Sequence, residues 1–279
     1  MQRPEIRNVV SPRRRTAANG AAGSREDVSV VLTAIAEGFL GVPYLAHPLD
    51  QTGPEHLVVN LDAFDCVTFV ETAVALARLP ADGRADREGL ARAVEEIRYR
   101  GGRLDGYASR LHYFSDWLRD NKARGILEDM TARLGGTPWE KRLNFMTAHR
   151  DRYPPLADPE CYRRVRAVEE ALTAMPKVHL PRGRFRSQEA RIHDGDILAV
   201  TALQDGIDVL HVGFAVRRRG RIHLLHASEA AGRVVVSPET VYRYLHRRRA
   251  RTGLLVARLR AGAGLPTSGR PAGPAGTPT

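Results

Sequence analysis

The chain changes its hydrophobic period once. From about residue 24 to 175 apolar residues recur at helical spacing, and from 197 to 259 they alternate or run together between turn signals. Helices first and strands afterwards must share one core, which points to an α+β fold with helices packed against a largely antiparallel sheet. In the first part, Ser24-Arg25-Glu26-Asp27 reads as a capping box, followed by Val31, Ile35 and Phe39 until Gly41-Val42-Pro43 stops the helix. Further helices are predicted over 66–79, 88–98, 107–118 and 160–175. In the second part strands are predicted over 197–201, 209–216, 221–227 and 234–236. A short helix started by Ser237-Pro238 and a closing strand over 253–259 complete the pattern.

A single domain is expected over 24–260. The flanks, 1–23 (polar and Arg-rich) and 261–279 (nearly all Gly, Pro, Ala, Ser and Thr), bury too little apolar surface to order themselves. The first segment lacks the apolar core of a secretory signal, and no run of about 18 apolar residues spans a membrane. As it stands the sequence reads as cytoplasmic, with the cell envelope left open as the alternative. The net charge of +11 rests on 43 basic residues, of which only Lys122, Lys141 and Lys177 are lysines. A GC-rich coding sequence produces that skew whatever the protein binds. The Arg runs at 13–15, 217–219 and 247–249 are separated and lie in no nucleic-acid-binding motif, so no nucleic-acid partner is expected.

Two cysteines, Cys66 and Cys161, exclude a disulfide scaffold and a Cys-type zinc site. Cys66 falls at the predicted start of a helix with Asp65 as N-cap. Free N–H groups and the helix dipole stabilise a thiolate there and can lower its pKa from about 8.5 to as little as ~3.5. A small buried hydrophobe in a core helix would look the same, so the reading turns on a histidine. His211 and His226 supply two. If the turn between the strands is centred between Arg219 and Gly220, Gly213 faces His226. His211 then lies on the same sheet face, diagonal to His226, while His223 points to the other face. Gly213 leaves space beside the two rings. His223 and His226 therefore cannot chelate one metal together, and no His-Glu-x-x-His pattern occurs. Cys161 has no comparable neighbours.

Several segments occur in a telling order: Leu40-Gly41-Val42-Pro43-Tyr44, Asp65-Cys66-Val67-Thr68-Phe69-Val70-Glu71, the 107–117 run Tyr-Ala-Ser-Arg-Leu-His-Tyr-Phe-Ser-Asp-Trp, Asn144-Phe145-Met146, His211-Val212-Gly213-Phe214-Ala215 and Leu225-His226-Ala227-Ser228. Together they resemble the N-acetylmuramoyl-L-alanine amidase-like branch of the NlpC-type, papain-like cysteine peptidases, over about residues 28–259. The 107–117 run is the most specific part. Cys66-Val67-Thr68 stands where ordinary NlpC-type enzymes carry Cys-Ser-Gly, which fits the amidase-like branch.

The resemblance implies a papain-like core in which the helix bearing Cys66 packs on the sheet bearing the histidines, with an added helical region. It implies hydrolysis of the amide between N-acetylmuramic acid and L-alanine, in peptidoglycan or an anhydro-muropeptide fragment, without cofactor or metal. Cys66 is then the nucleophile, His211 the proton carrier and His226 the group that orients it. The Cys66 N–H is one expected oxyanion donor, and Tyr44 is either a second or an ordinary turn residue. Arg110, His112, Tyr113, Asp116 and Trp117 are candidates for sugar or peptide recognition, although helical spacing also puts Trp117 in a core stripe with Leu111, Phe114 and Leu118. The alternatives are cleavage of the D-glutamate–diaminopimelate bond and a non-catalytic wall-fragment binder.

Overall fold

The computed structural model describes residues 25–50, 53–79 and 86–264, with side chains from Val28 onward. The expectations for 1–23 and for the tail beyond 264 lie outside the described residues, as does Ser24 of the predicted capping box.

Helix α1 (Arg25–Gly38) turns Leu32, Ile35 and Ala36 inward, with Phe39 just beyond its end. Helix α2 (Cys66–Arg78) is buried nearly all round, from Thr68 to Leu76, as a helix in the middle of a core must be. Helix α3 (Arg87–Arg98) is amphipathic: Asp86 caps it, and Leu90, Ala93, Val94 and Ile97 face inward at i, i+3, i+4 and i+7. Next come α4 (Phe114–Ala123), the short strands β1 (Leu127–Asp129) and β2 (Thr137–Pro138), and α5 (Phe145–Ala148). Helix α6 (Pro159–Ala174) starts on the Asp158 cap with proline at its first position. After β3 (Val178–Pro181) and α7 (Phe185–Gln188) follow β4 (Ile197–Ala202), β5 (Val209–Arg218), β6 (Arg221–Ser228), β7 (Arg233–Thr240), α8 (Val241–His246) and β8 (Arg251–Leu259).

All eight strands pair antiparallel in the order β2-β3-β8-β4-β5-β6-β7, with β1 also on β8. The fold is α+β. One sheet face, with Val212, Phe214, Leu225 and Ala227, packs against α1 and α2, and α3 packs on α2 behind them. The other, with Leu198, Leu224 and Val256, is covered by Phe185, Val241 and Leu245. A third cluster joins α6 to Tyr113, Met146 and Leu156 and forms the added helical region.

Two predicted elements differ. The run over 107–118 is not one helix: a 3₁₀ turn over Tyr107–Ser109 ends at Arg110, which bridges to Tyr99, and α4 begins only at Phe114. Ser237-Pro238 does not start a helix. Both residues continue β7, where the Ser237 hydroxyl donates to the Glu239 carbonyl (2.6 Å) and accepts the Leu224 amide (3.3 Å). Thr240 is the residue that caps α8.

Candidate active site

Asp65 and Thr68 close a reciprocal cap that starts α2 at Cys66. The Asp65 carboxylate accepts the Thr68 amide (2.7 Å) and the Thr68 hydroxyl accepts the Asp65 amide (3.0 Å). The thiol thus sits in the first turn, half-buried, against the backbone N–H groups of Val212, Cys66 and Val67. Burial pushes it up to about 12, the Asp65 charge adds to this, and those three N–H groups pull the other way. The lowered thiol pKa expected from the helix start alone is therefore corrected: desolvation outweighs the dipole.

The β5–β6 hairpin has the anticipated register. Phe214 faces Leu225 and Arg218 faces Arg221, which leaves a two-residue turn. Arg219 (φ 50°) and Gly220 (φ 75°) are both left-handed, as a twisted two-residue hairpin requires. His211 and His226 meet across this hairpin, Nε2 of His211 lying 2.6 Å from Nδ1 of His226 with the rings nearly perpendicular. Gly213 makes room for the pair, since a Cβ there would stand 2.8 Å from the Cβ of His226 and 2.7 Å from the Leu225 carbonyl. His223 instead holds the Ser237 carbonyl through Nδ1 (2.9 Å).

Burial lowers His211 to about 3, helped by the facing His226 and by Arg251, and lowers His226 to about 4, again with Arg251. Both rings are neutral near pH 7. One must donate to the other, and a His211 that keeps Nδ1 bare for a proton has to donate from Nε2. Tyr244 of α8 lies beside both rings, its centroid 6.2 Å from His211 and 6.1 Å from His226, and the Arg251 guanidinium lies over the Tyr244 ring at 3.6 Å. Sequence reasoning missed Tyr244 and Arg251, since only the closure of β8 on β4 brings them near.

Cys66 and His211 line one cavity of about 130 Å³ together with His112, Phe114 and Trp117. No hydrogen bond joins the thiol to the His211 ring among the described residues; catalytic pairs are often looser before substrate arrives. Tyr44 reaches the same end. Its backbone is pinned to the turn before β7 by donation to the Gly232 carbonyl (2.9 Å) and bridged to Phe64. Its phenol is pushed up to about 12 by burial, then by Cys66, Glu229 and Asp65, and is a neutral donor. Among the described residues, no group of three His, Cys, Asp or Glu side chains converges as metal ligands.

The 107–117 run separates into different roles. Arg110 donates to Glu55 from Nε (2.9 Å) and Nη2 (2.5 Å) and lies over the Tyr107 ring, so its charge is already matched. His112 holds the Tyr107 carbonyl through Nε2 (3.0 Å) and faces the cavity of Cys66. Tyr113 is buried and donates to Glu169 (2.6 Å), and Asp116 is fully buried under Arg100 and Arg119. Neither of these two lines that cavity. Trp117 does, but as a core residue at 3 % exposure, stacked on Phe114 and clustered with Leu111 and Leu118. A larger cavity of about 580 Å³ lies beyond Tyr107, lined by Glu55, Arg110, Tyr153 and Cys161, and contains neither Cys66 nor the two histidines.

The site thus sets a thiol at a helix start against a hairpin that carries one imidazole on each of its two strands, all on an antiparallel sheet. A sequence profile of the N-acetylmuramoyl-L-alanine amidase-like family matches residues 34–253. Among solved structures, an N-acetylmuramoyl-L-alanine amidase from Bacteroides uniformis superposes with a TM-score of 0.80 at 33 % identity, covering 84 % of this chain and 99 % of that one. A Bacteroides fragilis protein carrying a xylanase name is also similar, with a TM-score of 0.77 at 38 % identity over 80 % of this chain and 99 % of that one. A Legionella pneumophila protein, 18 % identical with a TM-score of 0.65 over 90 % and 93 % of the two chains, shares the fold. No curated protein matches. The chain belongs to the N-acetylmuramoyl-L-alanine amidase-like family.

Proposed function

We propose that the protein is a cysteine amidase of the NlpC-type, papain-like kind, which hydrolyses the amide between the lactyl group of N-acetylmuramic acid and L-alanine in peptidoglycan or muropeptides. The observation that carries this is the 2.6 Å contact between His211 and His226 beside a thiol at a helix N-terminus. With His226 accepting from Nε2, His211 keeps Nδ1 free as a base. The resting pair is a neutral thiol and a neutral imidazole, so the proton leaves the thiol as attack proceeds. Cys66 Sγ bonds to the lactyl carbonyl carbon while His211 takes its proton. The oxyanion is met by the Cys66 N–H, and the neutral Tyr44 phenol is the second donor. The C–N bond then breaks, His211 gives its proton to the alanine nitrogen, and a thioester remains. Water, deprotonated by His211, attacks the thioester, and the thiol recovers its proton as the acid departs.

Family membership and the name of the Bacteroides uniformis structure support the peptidoglycan-type substrate. The xylanase name of the other neighbour points to glycoside hydrolysis, which needs two carboxylates free to act. Both carboxylates in the Cys66 cavity are engaged: Glu71 accepts from Arg98 (2.7 Å), and Asp208 accepts the Ser115 (2.7 Å) and Val209 (2.8 Å) amides. Mass spectrometry of a muropeptide digest tests the proposal. Release of the intact stem peptide beginning at L-alanine is expected. Release at diaminopimelate would assign an endopeptidase, and no cleavage by wild type would leave a binding protein.

A further inference from the structure

The cavity of about 130 Å³ at Cys66 is small; sites for drug-sized ligands start near 300 Å³. It holds a group of a few heavy atoms, not a sugar ring with its peptide. Val67, Val70, Leu111, Phe114 and Trp117 make its wall apolar. Two hydrogen-bonding atoms of its wall residues have no partner among the described residues. His112 must donate from Nε2, because its neighbour there is the Tyr107 carbonyl, which only accepts. Burial and the Arg110 charge keep this ring neutral, down to about 3, so Nδ1 is an acceptor without a proton. Nδ1 makes no hydrogen bond among the described residues and is not among the sealed, unpartnered atoms, so solvent reaches it. The Trp117 Nε1–H, in contrast, is sealed from solvent and so from the chamber, with no partner among the described residues. The cavity's carboxylates are taken up as described, so a cation has no vacant ligand set there.

An apolar chamber with one accessible, unclaimed acceptor complements an amide N–H carried beside a methyl group. We propose that this chamber is a recognition subsite for such an amide, with its N–H donated to His112 Nδ1 and its methyl on the apolar wall. Two parts of the substrate in the reading above, on which this inference rests, have that chemistry: the acetamido arm of the muramoyl sugar and an alanyl unit of the stem. His112 is a positioning residue here and takes no part in proton transfer.

The test compares three muramoyl peptides: the parent, one with the sugar amine unacetylated, and one with glycine in place of L-alanine. Each is assayed with wild type, His112→Phe and His112→Asn. Asparagine keeps an acceptor on the atom bonded to Cγ, where Nδ1 stands. His112→Phe is expected to lose about 10-fold in kcat/KM on the parent, chiefly through KM, and His112→Asn to recover most of it. If the acetamido arm is the occupant, the unacetylated substrate is poor for wild type and indifferent to His112→Phe. If the alanyl unit is the occupant, the glycine substrate behaves that way instead. An equal loss from His112→Phe on all three substrates, or no loss on the parent, overturns the subsite. If wild type hydrolyses none of them, the amidase reading fails and calorimetry with Cys66→Ala decides the subsite alone. Binding of the parent that His112→Phe weakens about 10-fold supports it, and no binding, or binding indifferent to that change, overturns it.

Discussion

Adding one methyl group at Gly213 tests whether the hairpin is built around the histidine pair. The new Cβ of Gly213→Ala would lie 2.7 Å from the Leu225 carbonyl oxygen and 2.8 Å from the His226 Cβ, where ordinary contact begins at 3.4 Å. The Leu224 side chain, at 3.1 Å, can rotate away, but the other two atoms are fixed to the backbone of β6. About 0.7 Å must therefore be recovered by parting β5 from β6, since 2.7 Å has to become 3.4 Å. A shift of that size takes the 2.6 Å bond between the rings to about 3.3 Å, past the usual hydrogen-bonding range. Overpacking of this kind costs about 1–3 kcal/mol of stability. The fold survives on a sheet of eight strands, but His211 loses its orienting partner, and kcat is expected to fall by about 10²-fold or more. Urea unfolding, far-UV circular dichroism and turnover of a muramoyl peptide read the two effects separately. A Gly213→Ala protein that folds and keeps kcat within a few-fold would refute the reasoning, because the rings would then tolerate a parted hairpin.

Cys66→Ser should abolish turnover while the fold persists, whereas Cys161→Ser, at the wall of the separate cavity, should leave kcat unchanged; equal losses in steady-state assays would overturn the nucleophile assignment. Because His211 meets Nδ1 of His226, an atom bonded to Cγ, His226→Asn should keep measurable turnover and His226→Ala should fall by a further ~10²-fold. His223→Ala should stay within a few-fold of wild type, since that ring only holds the Ser237 carbonyl. Iodoacetamide should modify Cys66 at a rate that climbs through pH 6–9, as a thiol pushed up to about 12 demands; a plateau in the acid range would instead show a resting thiolate–imidazolium pair. His211 at about 3 and His226 at about 4 bind protons less readily than in the unfolded chain, near 6.5, so their contribution to stability is full above about pH 6.5 and is lost as pH falls toward 4 and then 3. The urea midpoint should therefore drop over that window, and the drop should shrink in His211→Gln/His226→Gln; an unchanged slope would place the acid lability elsewhere. Chelation overnight should leave turnover intact, and zinc-restorable loss would move the assignment to a metal-dependent amidase.

What was legible in the chain follows from how local each cause is. The α2 start at Cys66 was readable because its cap is made by Asp65 and Thr68, three residues apart. The His211–His226 contact was readable because one turn fixes the register, and Arg219-Gly220 is a turn that admits few geometries. The 107–117 run was the reverse case. Its residue types suit ligand recognition, yet Arg110 is matched by Glu55, Tyr113 by Glu169 and Asp116 by Arg100, partners 55, 56 and 16 residues away. No period or spacing reports such pairs. The Cys66 pKa failed for the same reason in another form: the helix dipole is local and was counted, while burial under β5 is tertiary and was not.

That division also bears on how the site works. The groups set by local sequence, a capped thiol and a hairpin of two imidazoles, are those the proposed amide chemistry needs and could stand on many scaffolds. The groups set by distant packing decide the state in which they rest. Burial and Arg251 keep both rings neutral, and burial with Asp65 keeps the thiol protonated. A resting neutral pair offers little thiolate to stray electrophiles, and in the proposed reaction the proton moves only when a carbonyl is held at Sγ and the oxyanion donors are engaged. In that reaction substrate placement governs both affinity and the proton transfer itself. A ligand part seated 1 Å wrong in the small chamber beside Cys66 would cost about 10²-fold in rate, which is the leverage by which distant residues of this fold can set specificity.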